Sequence, residues 1–388
     1  MSVAARLSPQ PIAPLSPFIA RTKPVSDDYL LEDLAFQYGQ VYDSYLACEA
    51  GRERFWSSEG AGAIAFVNVA GHLKVGGGLL AAAADRPRLL KEFLGFVSQK
   101  YKSAAFFNIT DVDLPLFQEY GIQVTKWGED TLIDLQDWSC QGKAFEWLRR
   151  QRNYCVRQKV SCAEWHPHQC LAGDFQATQA ELREVVSDSL QFKPQSREMQ
   201  FFVGQLDFQN LGRKRIFLAR ADEGRGRIEA VVVANPYQSG TAWAFEIFRH
   251  RRDAVRGVAP YLKQVVIEQL KAEGAQQVSL CLIPGLNCQT IRTGDSGLVR
   301  RALTWTSRHL NSLYDCSGLH HYKSRFRPRL ENRYICTFPR VSPMSFLTTV
   351  HLTGLLRLSP VKVARLVWRH WMSRARTTLP KLADHPTE

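Results

Sequence analysis

No run of about 20 uncharged apolar residues occurs in this 388-residue chain, so no bilayer-spanning helix is expected. The opening residues, MSVAARLSPQPIAPLSPFIARTKP, are Pro-rich and lack the continuous apolar stretch of a secretory signal. They predict a flexible leader over 1–26 and a cytosolic chain. The nine cysteines are scattered, odd in number and form no CxxC pair, which argues for buried thiols in a reducing compartment. Acidic charge is also short. Asp and Glu number 37 against 50 Lys and Arg, a net +13. Such an excess points to a polyanionic partner, and nucleic acid, an anionic membrane surface and a phosphorylated cofactor all qualify.

Apolar residues make up 45% of the chain, enough for a real core, and the length suits two domains. Helix and strand patterns alternate from Asp27 to about Asp134. A helix is predicted from Tyr29, strands over Gly62 to Val69, from His72 and from Ala104, and an amphipathic helix from Arg88. Gly76 to Gly78 reads as a strand end or bulge. A second α/β unit follows. Its strands are predicted over Thr131 to Leu135, Arg215 to Ala221, Ile228 to Asn235, Thr241 to Phe248 and Gln277 to Ile283. Its helices are predicted over Lys143 to Lys159, Ala180 to Leu190 and Val258 to Glu273. The expected organisation is a leader (1–26), a first unit (27–130), a second, catalytic unit (131–340) and a tail (341–388). In the tail, Pro360 to Arg376 places Val361, Ala364, Val367, Trp368 and Trp371 on one helical face, with basic residues over much of the rest. That pattern fits an anionic membrane surface and equally a helix docked on the body.

Basic residues crowd in two places. Lys323, Arg325, Arg327, Arg329 and Arg333 fall within one short segment, and the first four would share one face if the chain there is extended. Such a row suits a phosphodiester or lipid phosphate, and neighbouring His320, His321, Tyr322 and Phe326 could stack on bases. A solvated basic loop is the other reading of the same segment. The predicted helix from Lys143 adds Arg149, Arg150 and Arg152, spread around its surface. Arg256 and Gly257 precede the long helix, where backbone N–H groups and the helix dipole could meet a phosphate. With one glycine, the stretch Asp253 to Ala259 is an incomplete coenzyme A cradle. Cys162, His166, His168 and Cys170 have spacing that matches no common zinc site, so no metal is expected. Cys281, in an apolar strand, reads as a buried structural thiol.

Three segments resemble the catalytic domain of the bacterial phosphatidylglycerol lysyltransferase family. Gly128, Glu129, Asp134 and Leu135, then Gly142, Lys143 and Arg149, match a Gly-Glu-x4-Asp-Leu strand followed by a Gly-Lys-x5-Arg helix. Phe245, Glu246 and Arg249 match Phe-Asp-x-x-Arg, with Glu replacing Asp, and Gly257 opens the helix beyond. Gly318, Leu319, Lys323, Phe326, Pro328, Arg333 and Tyr334 match the third pattern, with Tyr322 and Leu330 in place of Phe and Trp.

The resemblance implies an α/β fold of two tandem acyl-coenzyme A N-acyltransferase-like (GNAT) domains, in a free-standing form without the membrane-embedded part. It implies transfer of an aminoacyl group from aminoacyl-tRNA to a hydroxyl or amine, foremost on an anionic lipid such as phosphatidylglycerol. The ester is already activated, so no cofactor is expected. In that frame Glu246, Lys323 and Arg325 are the catalytic candidates. Lys323 and Arg325 would neutralise the terminal phosphate or the oxyanion. Glu246 would hold the donor's α-amino group or orient the acceptor. Arg249, Arg256, Gly257, Tyr322, Arg327 and Arg333 would bind substrate, with Arg249 contacting phosphate or pairing with Glu246. Arg149, Arg150 and Arg152 would contact tRNA. The chain would be cytoplasmic and peripheral on the inner face of the membrane. An acyl-coenzyme A N-acyltransferase and a non-catalytic RNA- or membrane-binding protein are the alternatives.

Overall fold

The apolar runs of the sequence become strands of one continuous sheet. The structure, a computed structural model, describes residues 26–191, 201–206, 211–289, 294–309 and 316–352. In chain order the elements are α1 (Asp27–Tyr38), β1 (Glu53–Trp56), β2 (Gly62–Val69), β3 (His72–Val75), β4 (Leu80–Ala81), α2 (Arg86–Lys100), β5 (Ser103–Ile109), α3 (Leu114–Glu119) and β6 (Gln123–Asp134). There follow α4 (Glu146–Arg157), β7 (Ser161–Trp165), α5 (Ala172–Gln191), β8 (Arg215–Arg220), β9 (Ile228–Tyr237), β10 (Ala242–His250), α6 (Val258–Ala272) and β11 (Gln277–Pro284). The last elements are α7 (Gly297–His309), α8 (Cys316–Ser324), β12 (Arg329–Phe338) and α9 (Pro343–Leu352).

The sheet runs β1-β2-β3-β5-β12-β6-β11-β10-β9-β8-β7, with β4 paired to β2. Only β3/β5 and β10/β11 are parallel among these pairs. Each parallel pair is joined through a helix, α2 in one case and α6 in the other, as parallel neighbours require. An antiparallel meander, a crossover helix and a parallel strand thus occur twice, over β1–β5 and β7–β11. The fold is mixed α/β, and this duplicated plan is the tandem acyltransferase-like arrangement.

Burial explains the helices. Leu89, Leu90, Phe93, Leu94 and Val97 form the inner stripe of α2 and meet Phe66, Phe106 and Phe117 in the first core. Leu262, Val266, Ile267 and Leu270 of α6 meet Phe217, Val232, Phe245 and Val278 in the second. Strand β9 is buried along its whole length, with helices covering it on both sides, which is why its Val run shows no alternation.

β12 connects the two halves. It lies between β5 and β6, and its Tyr334 and Cys336 sit fully buried in the first core. β6 is long enough to pair with β12 along one edge and β11 along the other. The boundary drawn between 130 and 131 therefore falls inside β6. Gly128 allows the close approach of β11 there, because a Cβ at this position would lie 2.5 Å from the Ile283 carbonyl oxygen.

One reading of local structure agrees and one is corrected. The strand predicted from His72 ends at Val75, ahead of the strand end read at Gly76 to Gly78, where Gly77 and Gly78 turn the chain at positive φ. The basic segment from Lys323 is not extended: α8 runs to Ser324, and a turn with Arg327 at positive φ leads into β12. The four-cation row does not form. Of the tail, α9 packs against β3 and α7, where the buried Lys74 amine donates to the Ser345 carbonyl at 2.8 Å. The basic helix over Pro360 to Arg376 and the leader through residue 25 lie outside the described residues.

Candidate active site

β10 and β11 pair only through Ala242/Gln277, Trp243/Val278 and Ala244/Ser279. Both then bulge. The register of β10 shifts between Phe245 and Ile247, leaving Glu246 as the extra residue, and that of β11 shifts between Ser279 and Leu282, with Cys281 at φ 69°. Bulges re-aim side chains and end pairing, and here they part the two strands.

Polar side chains stabilise the parted strand. Ser279 Oγ donates to Asp130 Oδ1 at 2.7 Å, and Thr131 Oγ1 donates to the Cys281 carbonyl at 2.8 Å. Lys323, at the end of α8, donates to the carbonyls of Cys281 (2.7 Å) and Leu282 (3.2 Å). It is 5% exposed. Burial lowers its pKa to about 8, partly opposed by Cys281 and Asp130. Next to it the amine of Lys263 (α6) lies 4.4 Å from the ring centre of Phe248 and 4.7 Å from that of Tyr322. Tyr322 meets Trp147 and Phe326 edge-on. The Cys281 thiol feels Lys323, Asp130, Glu246 and Lys263, and burial pushes it far up, so it is no thiolate.

The acidic side of the site draws on the first unit. Glu246 accepts from the backbone N–H of Gly204 and from Asn235 Nδ2. Burial raises its pKa to about 8, with Lys214 opposing and Glu49 and Asp43 adding to the rise. Glu49 pairs with Lys214 at 2.5 Å and accepts from the Gln205 N–H at 3.1 Å. Asp43, 3% exposed, accepts from Asn108 Nδ2 at 2.6 Å. Burial lifts it to about 6 against the pull of Asn108 and Arg52. Among the described residues no donor meets Asp43 Oδ1, Asn108 Oδ1 or Asn235 Oδ1, all three buried. Phe107, Trp127, Phe201 and Phe202 form an aromatic wall nearby, with Arg52 over Phe201.

The structure brings Glu246, Lys323 and Tyr322 to this divergence and disperses the other candidates. Arg249 is buried and donates to the Phe248 carbonyl at 2.8 Å, forming no ion pair with Glu246. Arg333 is buried against Asp130 and Glu331. Arg325 stacks over Trp147 and meets His321. Arg256 and Arg327 are exposed. Gly257 caps α6 in the left-handed conformation, and a Cβ there would lie 2.5 Å from Gln151 Oε1. Arg149 holds the carbonyls of Cys140 and Gly142, Arg150 pairs with Glu146, and Arg152 makes a two-pronged contact with Glu268. Cys162 lies in β7 with its thiol pushed up to about 12, and no group of three His, Cys, Asp or Glu able to hold a metal occurs among the described residues. No helix among them is long and apolar enough to cross a membrane.

Sequence reasoning missed Asp43, Glu49, Asn108, Lys214 and Lys263. The first three lie in the unit that carries no motif. Lys263 left a visible trace, a charge on the buried stripe of α6.

The sequence profile of the family "Phosphatidylglycerol lysyltransferase, C-terminal" matches residues 33–337. The phosphatidylglycerol lysyltransferase of Bacillus subtilis (strain 168) is 26% identical over 321 residues, which are 81% of this chain and 36% of that protein. That of Staphylococcus aureus (strain MSSA476) is 24% identical over 304 residues, 78% of this chain and 35% of that protein. The chain thus spans about a third of the length of these relatives. Among solved structures, L-PGS from Bacillus licheniformis superposes with a TM-score of 0.69 at 22% identity, covering 86% of this chain and 99% of that one. The C-terminal domain of a putative lysylphosphatidylglycerol synthetase from Agrobacterium fabrum gives 0.69 at 19%, covering 85% and 96%. With its fold shared by these structures and its family profile matched from end to end of the sheet, the chain belongs to the phosphatidylglycerol lysyltransferase C-terminal domain family.

Proposed function

We propose that the chain is an aminoacyltransferase that moves an aminoacyl group from aminoacyl-tRNA to an acceptor hydroxyl on an anionic lipid such as phosphatidylglycerol. Family membership supports the reaction class. The observation that carries the site is that Asp43 Oδ1, Asn108 Oδ1 and Asn235 Oδ1 are buried without donors among the described residues, with Asn235 bonded to Glu246, Asn108 bonded to Asp43, and the Asp43 charge acting on Glu246. These oxygens match in number the three N–H bonds of an α-ammonium. A buried acceptor left without a donor costs about 1–3 kcal/mol, which a bound ammonium would recover. Its charge would also draw the proton from Glu246, whose pKa burial holds high against the pull of Lys214.

Lys323 stands where the oxyanion of the tetrahedral intermediate would form. Two of its N–H bonds are committed to the Cys281 and Leu282 carbonyls, and one remains for the substrate. The ester supplies the driving force, so ATP and metal have no part in the scheme. Arg149, Arg150 and Arg152 would track the tRNA backbone. The protein would act as a peripheral enzyme at the inner membrane face, with 27–130 and 131–340 as cooperating units. An acyl-coenzyme A donor is not favoured. Gly257 serves as a helix cap pressed on Gln151 rather than as an open phosphate cradle.

The test is incubation with a set of radiolabelled aminoacyl-tRNAs and phosphatidylglycerol vesicles. Label in the lipid fraction supports the reading. Label delivered only from acyl-coenzyme A, or none from any aminoacyl-tRNA, overturns it.

A further inference from the structure

Helix α6 carries a lysine where its buried stripe calls for a hydrophobe. Pro260, Lys263, Ile267 and Leu270 follow at helical spacing, and all four are buried. The Lys263 amine ends between the faces of Phe248 and Tyr322. Among the described residues no hydrogen-bond acceptor or carboxylate meets it, although buried ammonium groups normally need both. The groups facing it are Lys323 and Tyr322 from α8, Cys281 from β11 and Phe248 from β10. Lys323 repels a second positive charge. Tyr322 and Cys281 are both raised by burial and stay neutral. On the α4 side, Arg152 is already paired with Glu268. Burial first, then Lys323, lower the pKa of Lys263 to about 7. A large fraction is therefore free amine at neutral pH. The two ring faces would hold the cation once it forms, through cation–π attraction.

We propose that Lys263 is the proton acceptor of the acyl transfer, taking the proton from the acceptor hydroxyl as that oxygen attacks the aminoacyl ester. The inference rests on the aminoacyl-transfer reading given above. In the first step the acceptor oxygen bonds to the ester carbon, its proton passes to Lys263 Nζ, and the carbonyl electron pair moves onto oxygen beside Lys323. In the second the carbonyl re-forms, the bond to the ribose oxygen breaks, and that oxygen takes the proton back from Lys263. Lys263 ends as the free amine and nothing else is consumed. A base with a pKa near the working pH suits this exchange.

The test uses the full chain, a set of radiolabelled aminoacyl-tRNAs and phosphatidylglycerol vesicles. Lys263→Met keeps the volume and the apolar contacts. Its kcat should fall on the order of 100-fold, with the KM for aminoacyl-tRNA changed less than about twofold. Lys263→Arg keeps the charge but cannot accept a proton, and should be as slow. Small alkylamines should partly restore Lys263→Ala, in proportion to their free-base concentration. A Lys263→Met protein with wild-type kcat and pH profile overturns the inference and leaves the aminoacyl-transfer reading intact. A wild-type chain that transfers nothing from any aminoacyl-tRNA removes both. Competitive acetylation of the wild-type chain, read by mass spectrometry across pH, gives an answer independent of activity. Half-maximal reactivity of Lys263 near pH 7 supports the inference, and near the ordinary lysine value it sinks it.

Discussion

Arg333 Nη2 lies 2.9 Å from Asp130 Oδ2, with both side chains almost fully shielded from solvent. The pair joins β12 to β6 directly under the divergence of β10 and β11. Asp130 also accepts from Ser279 Oγ, so one carboxylate ties three strands together. Removing one partner of a buried pair typically costs about 3–5 kcal/mol, because the other charge is left stranded. Arg333→Met should lower stability by that amount. Combining it with Asp130→Asn should recover a substantial part. Urea midpoints of the two single variants and the double variant test this, and strictly additive losses would refute the pairing.

Glu246 sets a pH dependence of stability. Its carboxyl is raised from about 4.5 to about 8 in the folded chain. Below pH 4.5 it is protonated in both states and costs nothing. Between 4.5 and 8 the unfolded chain ionises first and gains, so folding stability falls as pH rises. Above 8 the full cost is present. Glu246→Gln should flatten this decline and be relatively more stable at pH 9 than at pH 5. Parallel urea-midpoint curves for variant and wild type from pH 5 to 9 would count against it.

Lys323→Ala should leave tRNA affinity nearly unchanged while kcat falls on the order of 100-fold, the usual loss for one donor to an oxyanion. Single-turnover transfer and filter binding separate the two effects. Undiminished transfer would remove Lys323 from the site.

Arg150 is exposed and, among the described residues, holds only a surface pair with Glu146, which is worth well under 1 kcal/mol. Arg150→Ala should therefore leave the thermal midpoint almost in place. If the residue contacts a tRNA phosphate, the slope of log affinity against log salt should become shallower by about 0.7–0.9. An unchanged slope would place Arg150 outside the RNA interface.

What was legible in the sequence follows from which interactions are local. The Val run of β9 and the apolar stripe of α6 announce themselves within a few residues, and both appear where expected. By apolar pattern β6 was read only from Thr131, because Lys126, Gly128, Glu129 and Asp130 break that pattern, and only the family motif carried the strand back to Gly128. Asp130 is satisfied by Arg333 and Ser279, and Glu129 by Lys126 and Asn287. Three of these four partners stand more than a hundred residues away. The basic segment misled for the same reason. Arg329 pairs with Asp134, Arg333 with Asp130, and Lys323 with strand carbonyls, so the cations are separated by partners that local pattern cannot supply. Motif matching found Glu246 and Lys323. It was silent on Asp43 and Asn108, because the second unit carries the motifs and the first supplies these acceptors.

The place of β12 also bears on how the chain must be made. During synthesis β5 and β6 emerge about two hundred residues before the strand that will lie between them. Until Phe338 has left the ribosome, each keeps an edge without its neighbour, the kind of edge that invites pairing with another chain. A nascent chain stalled or cut before Arg329 would hold most of the second core and an open first sheet. Soluble expression should therefore depend sharply on whether this one late strand is present.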